Sequence, residues 1–268
     1  MSAIAHRHQP SPFAGTAHYY ARCRPPYPAA LLDRIARALR LDGRGMMLDL
    51  GCGTGQLAIP MARRFQHVVA VDPEVEMLIE GRAAAERAGA TNVTWLEGNS
   101  TALPAGRGPF RLVTIGRALH WMDRERVLAD LHQLVTDDGG IAVVNDDAPI
   151  IRGTQEWKLR VVEVIQRYLG SARRAGEGTF EDPAERHDVI LARSQFLRMT
   201  KLAESYLHEW AVDSILGVLY STSFCSRRLL GDRADAFEAD VTSALLSIEA
   251  SGRFRETIEF EALLAWKC

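Results

Sequence analysis

The chain has 268 residues, which at roughly 150 residues per domain predicts one large domain or two small ones. It is 47% hydrophobic and 25% charged, an ordinary globular composition, and Lys+Arg 32 against Asp+Glu 34 leaves a net charge of −2. That balance lacks the basic footprint of a phosphate-backbone binder, so no nucleic-acid partner is expected. The four cysteines (Cys23, Cys52, Cys225, Cys268) show no paired short spacing. This excludes a zinc ribbon, suggests no disulfide framework and predicts no metal site. His6, Arg7 and His8 are followed by no apolar stretch, and no run reaches the about 18 apolar residues of a membrane span. The expected compartment is the cytoplasm.

In chain order, apolar strands are predicted at residues 46–50, 67–72, 93–97, 110–115 and 140–145. Helices are predicted at 28–39, 74–88 and 123–135. The first carries Leu31, Leu32, Ile35 and Leu39, the second ends at Gly89, and the third has Asp123 as its N-cap. Alternating strands and helices predict a parallel sheet covered on both faces. Pro60 conflicts with the helical run around it and should kink that run or shift its start. Residues 150–200 read as helical, broken by a Gly/Arg/Glu-rich loop over 170–183. Two further strands are predicted at 205–211 and 257–266. The expected organisation is a single domain, with residues 1–27 as an N-terminal arm and residues 150–200 as a helical cap over the site.

The first strand runs into Asp49-Leu50-Gly51-Cys52-Gly53-Thr54-Gly55-Gln56. Glycines directly after such a strand let the main chain turn tightly and let a ligand approach the backbone. A dinucleotide fold wants G-x-G-x-x-G, but here the third glycine comes one place early and Gln56 stands where it is expected. Asp49 entering the loop disfavours a pyrophosphate and suits a cationic ligand. Asp72, ending the second strand, can accept both hydroxyls of a ribose. An adenosine whose tail carries a sulfonium and an ammonium meets all of these conditions, which is S-adenosylmethionine.

With these residues in place, the chain resembles the small-molecule branch of the class I S-adenosylmethionine-dependent methyltransferases (the type 11 methyltransferase domain). The blocks that carry the resemblance are residues 48–55, Val69-Ala70-Val71-Asp72-Pro73, residues 97–104, Ala118-Leu119-His120-Trp121-Met122-Asp123 and Arg24-Pro25-Pro26-Tyr27-Pro28. The resemblance implies a Rossmann-like α/β fold, with a seven-stranded sheet in the order 3-2-1-4-5-7-6, its last strand antiparallel and helices on both faces. It implies that Gly51, Cys52, Gly53 and Gly55 lie under the cofactor, that Asp72 binds the ribose and that Pro73 lies by the adenine. Asn99 stands where the family usually has an Asp contacting the adenine amino group, and Ser100 beside it has a backbone N–H for the ring. Gly116 and Arg117 fall where a main-chain carbonyl meets the methionyl amine. In similar enzymes the N-terminal segment folds over the cofactor, which assigns Tyr20 and Arg24 to it, an Arg taking the methionyl carboxylate. The alternative for this segment (Phe13, His18, Tyr19, Tyr20, Arg22) is a loosely packed terminal arm.

The implied activity is methyl transfer by in-line displacement to a small-molecule acceptor, such as a secondary metabolite, through oxygen, nitrogen or carbon. The protein must mainly align donor and acceptor and exclude water. His120, just past the fourth strand, is the candidate base, although His120 and Trp121 would also serve as packing of the turn. Asp146 and Asp147, after the fifth strand, are candidates to hold an acceptor. His18, Tyr19, His120 and Trp121 are candidate substrate contacts, while His132 reads as surface or packing. The competing readings are an RNA or protein methyltransferase, a nicotinamide-dependent oxidoreductase and a non-catalytic cofactor-binding protein.

Overall fold

A computed structural model describes residues 11–103, 106–146, 150–172, 174–175, 178–179 and 184–268. Asp147, the first ten residues and half of the predicted 170–183 loop lie outside the described residues. Seven strands form one sheet: β1 (Met46–Leu50), β2 (His67–Asp72), β3 (Val93–Glu97), β4 (Phe110–Gly116), β5 (Val135–Asp146), β6 (Arg198–Ala211) and β7 (Arg253–Trp266). Their spatial order is 3-2-1-4-5-7-6, and only β7 runs against the rest. The described helices are α1 (Ala17–Cys23), α2 (Ala29–Ala38), α3 (Ala58–Met61), α4 (Val75–Ala88), α5 (Arg124–Leu134), α6 (Glu156–Leu169), α7 (His187–Ala192), α8 (Val212–Tyr220), α9 (Arg227–Leu230) and α10 (Ala234–Ile248). The Rossmann-like doubly covered sheet is the expected one.

Alternation along the strands sends successive side chains to opposite faces, and both faces are buried. Leu48, Leu50, Val113, Ile115 and Val143 pack with Val127, Leu128 and Leu131 of α5 and Ile190 and Leu191 of α7. Met47, Val68, Ala70, Leu112 and Val144 pack with Leu31, Leu32 and Ile35 of α2. This is why β1, β2 and β4 read as continuous apolar runs rather than alternating ones. Asp123 caps α5 as expected, accepting from Arg126 N–H at 3.2 Å.

Three strands are longer than predicted. β5 starts five residues early, through the polar run Thr136-Asp137-Asp138, and β6 starts seven residues early at Arg198. β6 is the edge strand, and its Arg198, Thr200 and Lys201 stay exposed, so no apolar periodicity marks them; pairing with β7 orders them instead. β7 likewise begins at Arg253 rather than at residue 257. Pro60 is the third residue of the one-turn α3, where a missing N–H costs nothing, and the run then tightens into a 3₁₀ turn over Ala62–Arg64. Within residues 150–200, α6 and α7 are the helical parts. A second helical layer, α8 to α10, enters between β6 and β7, and α10 packs against α6 and α8.

The glycine loop answers to packing as well as to any ligand. Gly55 has φ +82°, and a Cβ there would lie 2.5 Å from Trp95 Cη2. Trp95 of β3 is also clasped by Gly81 of α4, where a Cβ would meet its ring at 2.5 Å. Gly55→Ala is therefore expected to destabilise the fold by about 2–4 kcal/mol, from left-handed backbone strain plus overpacking. Urea unfolding followed by Trp fluorescence measures it.

Candidate active site

Open α/β sheets place ligands outside the carboxyl ends of their strands, and here the ends of β1, β2 and β4 surround a cavity of about 220 Å³. The loop after β1 is tied down by Gly51 and Cys52, whose N–H groups donate to Val71 carbonyl at 2.8 and 3.0 Å. Gly53 N–H and Glu74 N–H each donate to one carboxylate oxygen of Asp72, at 2.8 and 2.9 Å. Burial raises the Asp72 carboxyl, and these two N–H groups act against that rise. Each oxygen keeps an accepting lone pair, and Asp72 stands in the cavity wall. Pro73, Asn99, Ser100, Gly51, Gly53 and Gly116 line the same cavity.

Other loop residues take structural posts. Asp49 is buried; it accepts from Ala58 N–H at 3.0 Å, which fastens the start of α3, and from Thr114 Oγ1 at 2.7 Å. It borders a narrow gap with Cys52, Gln56, Tyr27 and Gly116 rather than the cavity itself. Burial pushes its carboxyl up to about 7. Gly55 lies under Trp95, as above. The amide oxygen of Asn99 accepts from both the N–H and the hydroxyl of Thr101, at 2.9 and 2.7 Å. Its NH₂ end is then what remains for a ligand, suited to a ring nitrogen rather than to an amino group.

A second, larger chamber of about 580 Å³ opens beside the first, and Phe13, Tyr20, Arg117 and Trp121 line both. Arg117 follows β4 at φ +53°, an uncommon backbone for a non-glycine residue. It donates to Asp146 Oδ2 at 2.7 Å and to Gln56 Oε1 at 2.5 Å, and its guanidinium lies 4.9 Å from the Tyr27 ring centroid. Gln56, the residue in place of a third dinucleotide glycine, thus serves to hold this arginine. Arg24 lies 4.9 Å from the Tyr20 ring centroid and donates through Nε to Ser221 Oγ at 2.8 Å. Burial lowers its pKa, and among the described residues no carboxylate lies within ion-pair distance of it.

The structure brings His120 and Trp121 to the large chamber and leaves His18 and Tyr19 out of both cavities. Successive helical residues differ by about 100°, so α1 can aim only one of the three neighbours at the site. That residue is Tyr20; Tyr19 packs 5.2 Å from the Tyr220 ring and His18 Nδ1 stands 3.6 Å from Glu80. Phe13 meets Trp121 edge to face at 5.6 Å, and Gly15 N–H donates to Glu76 at 2.9 Å, so the described part of the arm crosses the cavities. His132 packs edge-on against Phe196. Sequence reasoning missed His187 of α7, which lines the chamber. It sits in the charged run Glu185-Arg186-His187-Asp188, which has no periodicity or motif to mark it.

A seven-stranded sheet of this order, with an acidic residue ending β2 beside a glycine loop, defines the class I methyltransferase fold. The comparisons agree. The profile of a methyltransferase domain matches residues 47–139. The uncharacterized methyltransferase Rv3342 of Mycobacterium tuberculosis is 26% identical over 213 residues, covering 80% of this chain and 77% of that protein. A second one from the same organism, Rv0089, is 35% identical over 121 residues, or 45% of this chain and 60% of the relative. The crystal structure of YcgJ from Bacillus subtilis superposes with a TM-score of 0.56 at 16% identity, covering 90% of this chain and 99% of that one. The [4+2]-cyclase SpnF shares the fold at a TM-score of 0.52 and 18% identity, over 89% of this chain and 80% of that one. Residues 47–139 thus match a methyltransferase domain, and the fold is that of the class I methyltransferases, whose usual cofactor is S-adenosylmethionine. Among the described residues, no helix is long and apolar enough to cross a membrane.

Proposed function

We propose that this chain binds S-adenosylmethionine in the smaller cavity and methylates a small molecule, such as a secondary metabolite, held in the larger chamber, in the cytoplasm. The observation that carries the reading is the junction: two cavities share the walls Phe13, Tyr20, Arg117 and Trp121, so a donor in one and an acceptor in the other would meet there. The residues present fit the cofactor. Asp72 offers two accepting oxygens to the ribose, Gly51 and Gly53 line the smaller cavity without a side chain, and Arg24, half-buried on the wall of the larger chamber, has no carboxylate within ion-pair distance among the described residues. Bound there, the cofactor supplies a methyl group already activated by the sulfonium charge.

The rest is alignment. Tyr20 presents an aromatic face at the junction, suited to a passing cation, and Arg24 takes the methionyl carboxylate. Holding the reacting atoms in line lowers the barrier by several kcal/mol. The 11–27 arm and the helical layers keep water out, His120 stands on the chamber wall to orient the acceptor, and Asp146 acts through Arg117 as a positioning residue. A calorimetric titration with S-adenosylhomocysteine, with NADH as control, tests the binding. Asp72→Ala is expected to weaken it by about 1.5–3 kcal/mol, since a charge-assisted acceptor is lost; unchanged affinity would remove the ribose assignment. Incubation with an isotopically labelled methyl donor and a metabolite extract, read by mass, identifies the acceptor.

A further inference from the structure

The chamber holds two imidazoles, and only one of them is explained by its position after β4. His120 comes from the turn Leu119–Trp121 and His187 is the first residue of α7, so two separate elements bring them to the chamber wall. Their rings stack at 24° with centroids 6.5 Å apart. His187 Nδ1 is buried and makes no hydrogen bond among the described residues. A protonated His187 would therefore bury an unpaired N–H, which favours the neutral ring.

We propose that His187, stacked on His120, is the group that takes the acceptor's proton, and that the acceptor accordingly carries an O–H or N–H. This rests on the methyl-transfer reading above. As the bond from the acceptor's oxygen or nitrogen to the methyl carbon forms, the carbon–sulfur bond breaks and leaves its electron pair on sulfur. The acceptor's proton passes to a ring nitrogen of His187 and from there to solvent. A carbon acceptor of the indole or phenol-ring type needs little help of this kind, and a second histidine at the chamber wall would have nothing to do.

The surrounding charges support a base that is neutral at working pH. Burial lowers the pKa of His187; Arg124, reaching from α5, lowers it further, and Asp188 acts in the other direction. Arg186 is paired with Asp188, and Glu185 with Arg193. Glu261 of β7 also lines the chamber and is paired with Lys201 of β6, while Arg198 of β6 lies over the Trp266 ring. Two protonated imidazoles at this separation would repel each other, which disfavours charging both at once.

Ring ¹H–¹⁵N NMR of the full chain, titrated with acid, reads this without any acceptor. The expected result is a His187 midpoint below that of a short histidine peptide, moving up toward the ordinary value in His120→Gln, where a neighbouring positive charge is removed. A His187 that titrates as in a peptide, or that ignores His120→Gln, overturns the pairing. With the labelled donor, the methyl group is expected on oxygen or nitrogen; a methyl on carbon overturns the base assignment. His187→Gln is expected to slow transfer at pH 7 by about 100-fold, with the deficit shrinking as pH rises and the acceptor ionises unaided, while S-adenosylhomocysteine affinity stays within about twofold. An unchanged rate and pH profile would also overturn it. Loss of S-adenosylhomocysteine binding in the unaltered protein instead sinks the cofactor reading, and the NMR arm still judges the histidine pair.

Discussion

Asp146→Ala is expected to lower the unfolding free energy by about 3–5 kcal/mol, the cost of leaving a buried charge without its partner. The side chains of Arg117 and Asp146 are only 10% and 14% exposed, so solvent cannot replace the lost carboxylate. Arg117 would keep Gln56 as an acceptor and the Tyr27 ring beneath it, but its Nε already has no hydrogen-bond partner. Its backbone offers no easy retreat, because Arg117 N–H is fixed to Val144 carbonyl at 2.9 Å and the residue sits at φ +53°. The double variant Arg117→Met with Asp146→Leu, which removes both charges, is expected to recover most of that loss. Urea midpoints of the three proteins measure it. Equal destabilisation in the single and double variants would mean that packing, rather than charge, is what the pair supplies. Arg117 lines both cavities and Asp146 the larger one, so under the proposed function Asp146→Ala should raise KM for the acceptor even where enough folded protein remains to assay.

The sheet and the smaller cavity were legible in the sequence because their signals are local. β1, β2 and β4 are buried on both faces and so appear as apolar runs, while Gly51, Gly53 and Asp72 are adjacent to the strands that place them. The larger chamber was not legible, for two physical reasons. β6 begins in exposed polar residues that only its partner β7 orders, and α8 to α10 form a layer whose contacts are with α6 and one another rather than with a patterned strand. Position in the chain also misled. His18 and Tyr19 sit two and one places from Tyr20 but face elsewhere on the helix, and Asp49, beside the glycine loop, is also the acceptor that fastens the start of α3. His187 reaches the chamber from 67 positions after His120, a juxtaposition that only the folded chain makes.

Asp49 makes the second large prediction, and its sign runs opposite to that of a carboxylate held in an ion pair. Burial is the dominant influence on it; the hydrogen bonds from Thr114 and Ala58 act against that influence without cancelling it, and the folded-state pKa rises from 3.8 to about 7. Between those values the folded chain holds a proton that the unfolded chain has released. Stability therefore falls as pH rises through this window, and above it the cost is complete, about 4 kcal/mol at 1.36 kcal/mol per unit. Asp49→Asn should remove this dependence. The amide oxygen can accept from Ala58 N–H, and the amide NH₂ can donate to Thr114 Oγ1. The Thr114 hydroxyl is then released toward Leu48 carbonyl, now 3.5 Å away. Unfolding curves of the two proteins are expected to converge near pH 4 and to separate in favour of Asn by pH 7; parallel curves would show that the carboxyl titrates normally. A charge that destabilises the fold at neutral pH and borders a gap beside Gly116 has a reason to persist only if something cationic is held near it. The same variant should thus gain stability and lose affinity for S-adenosylhomocysteine, whose ammonium is the cation on offer. A gain in stability with affinity intact would assign Asp49 to the start of α3 alone.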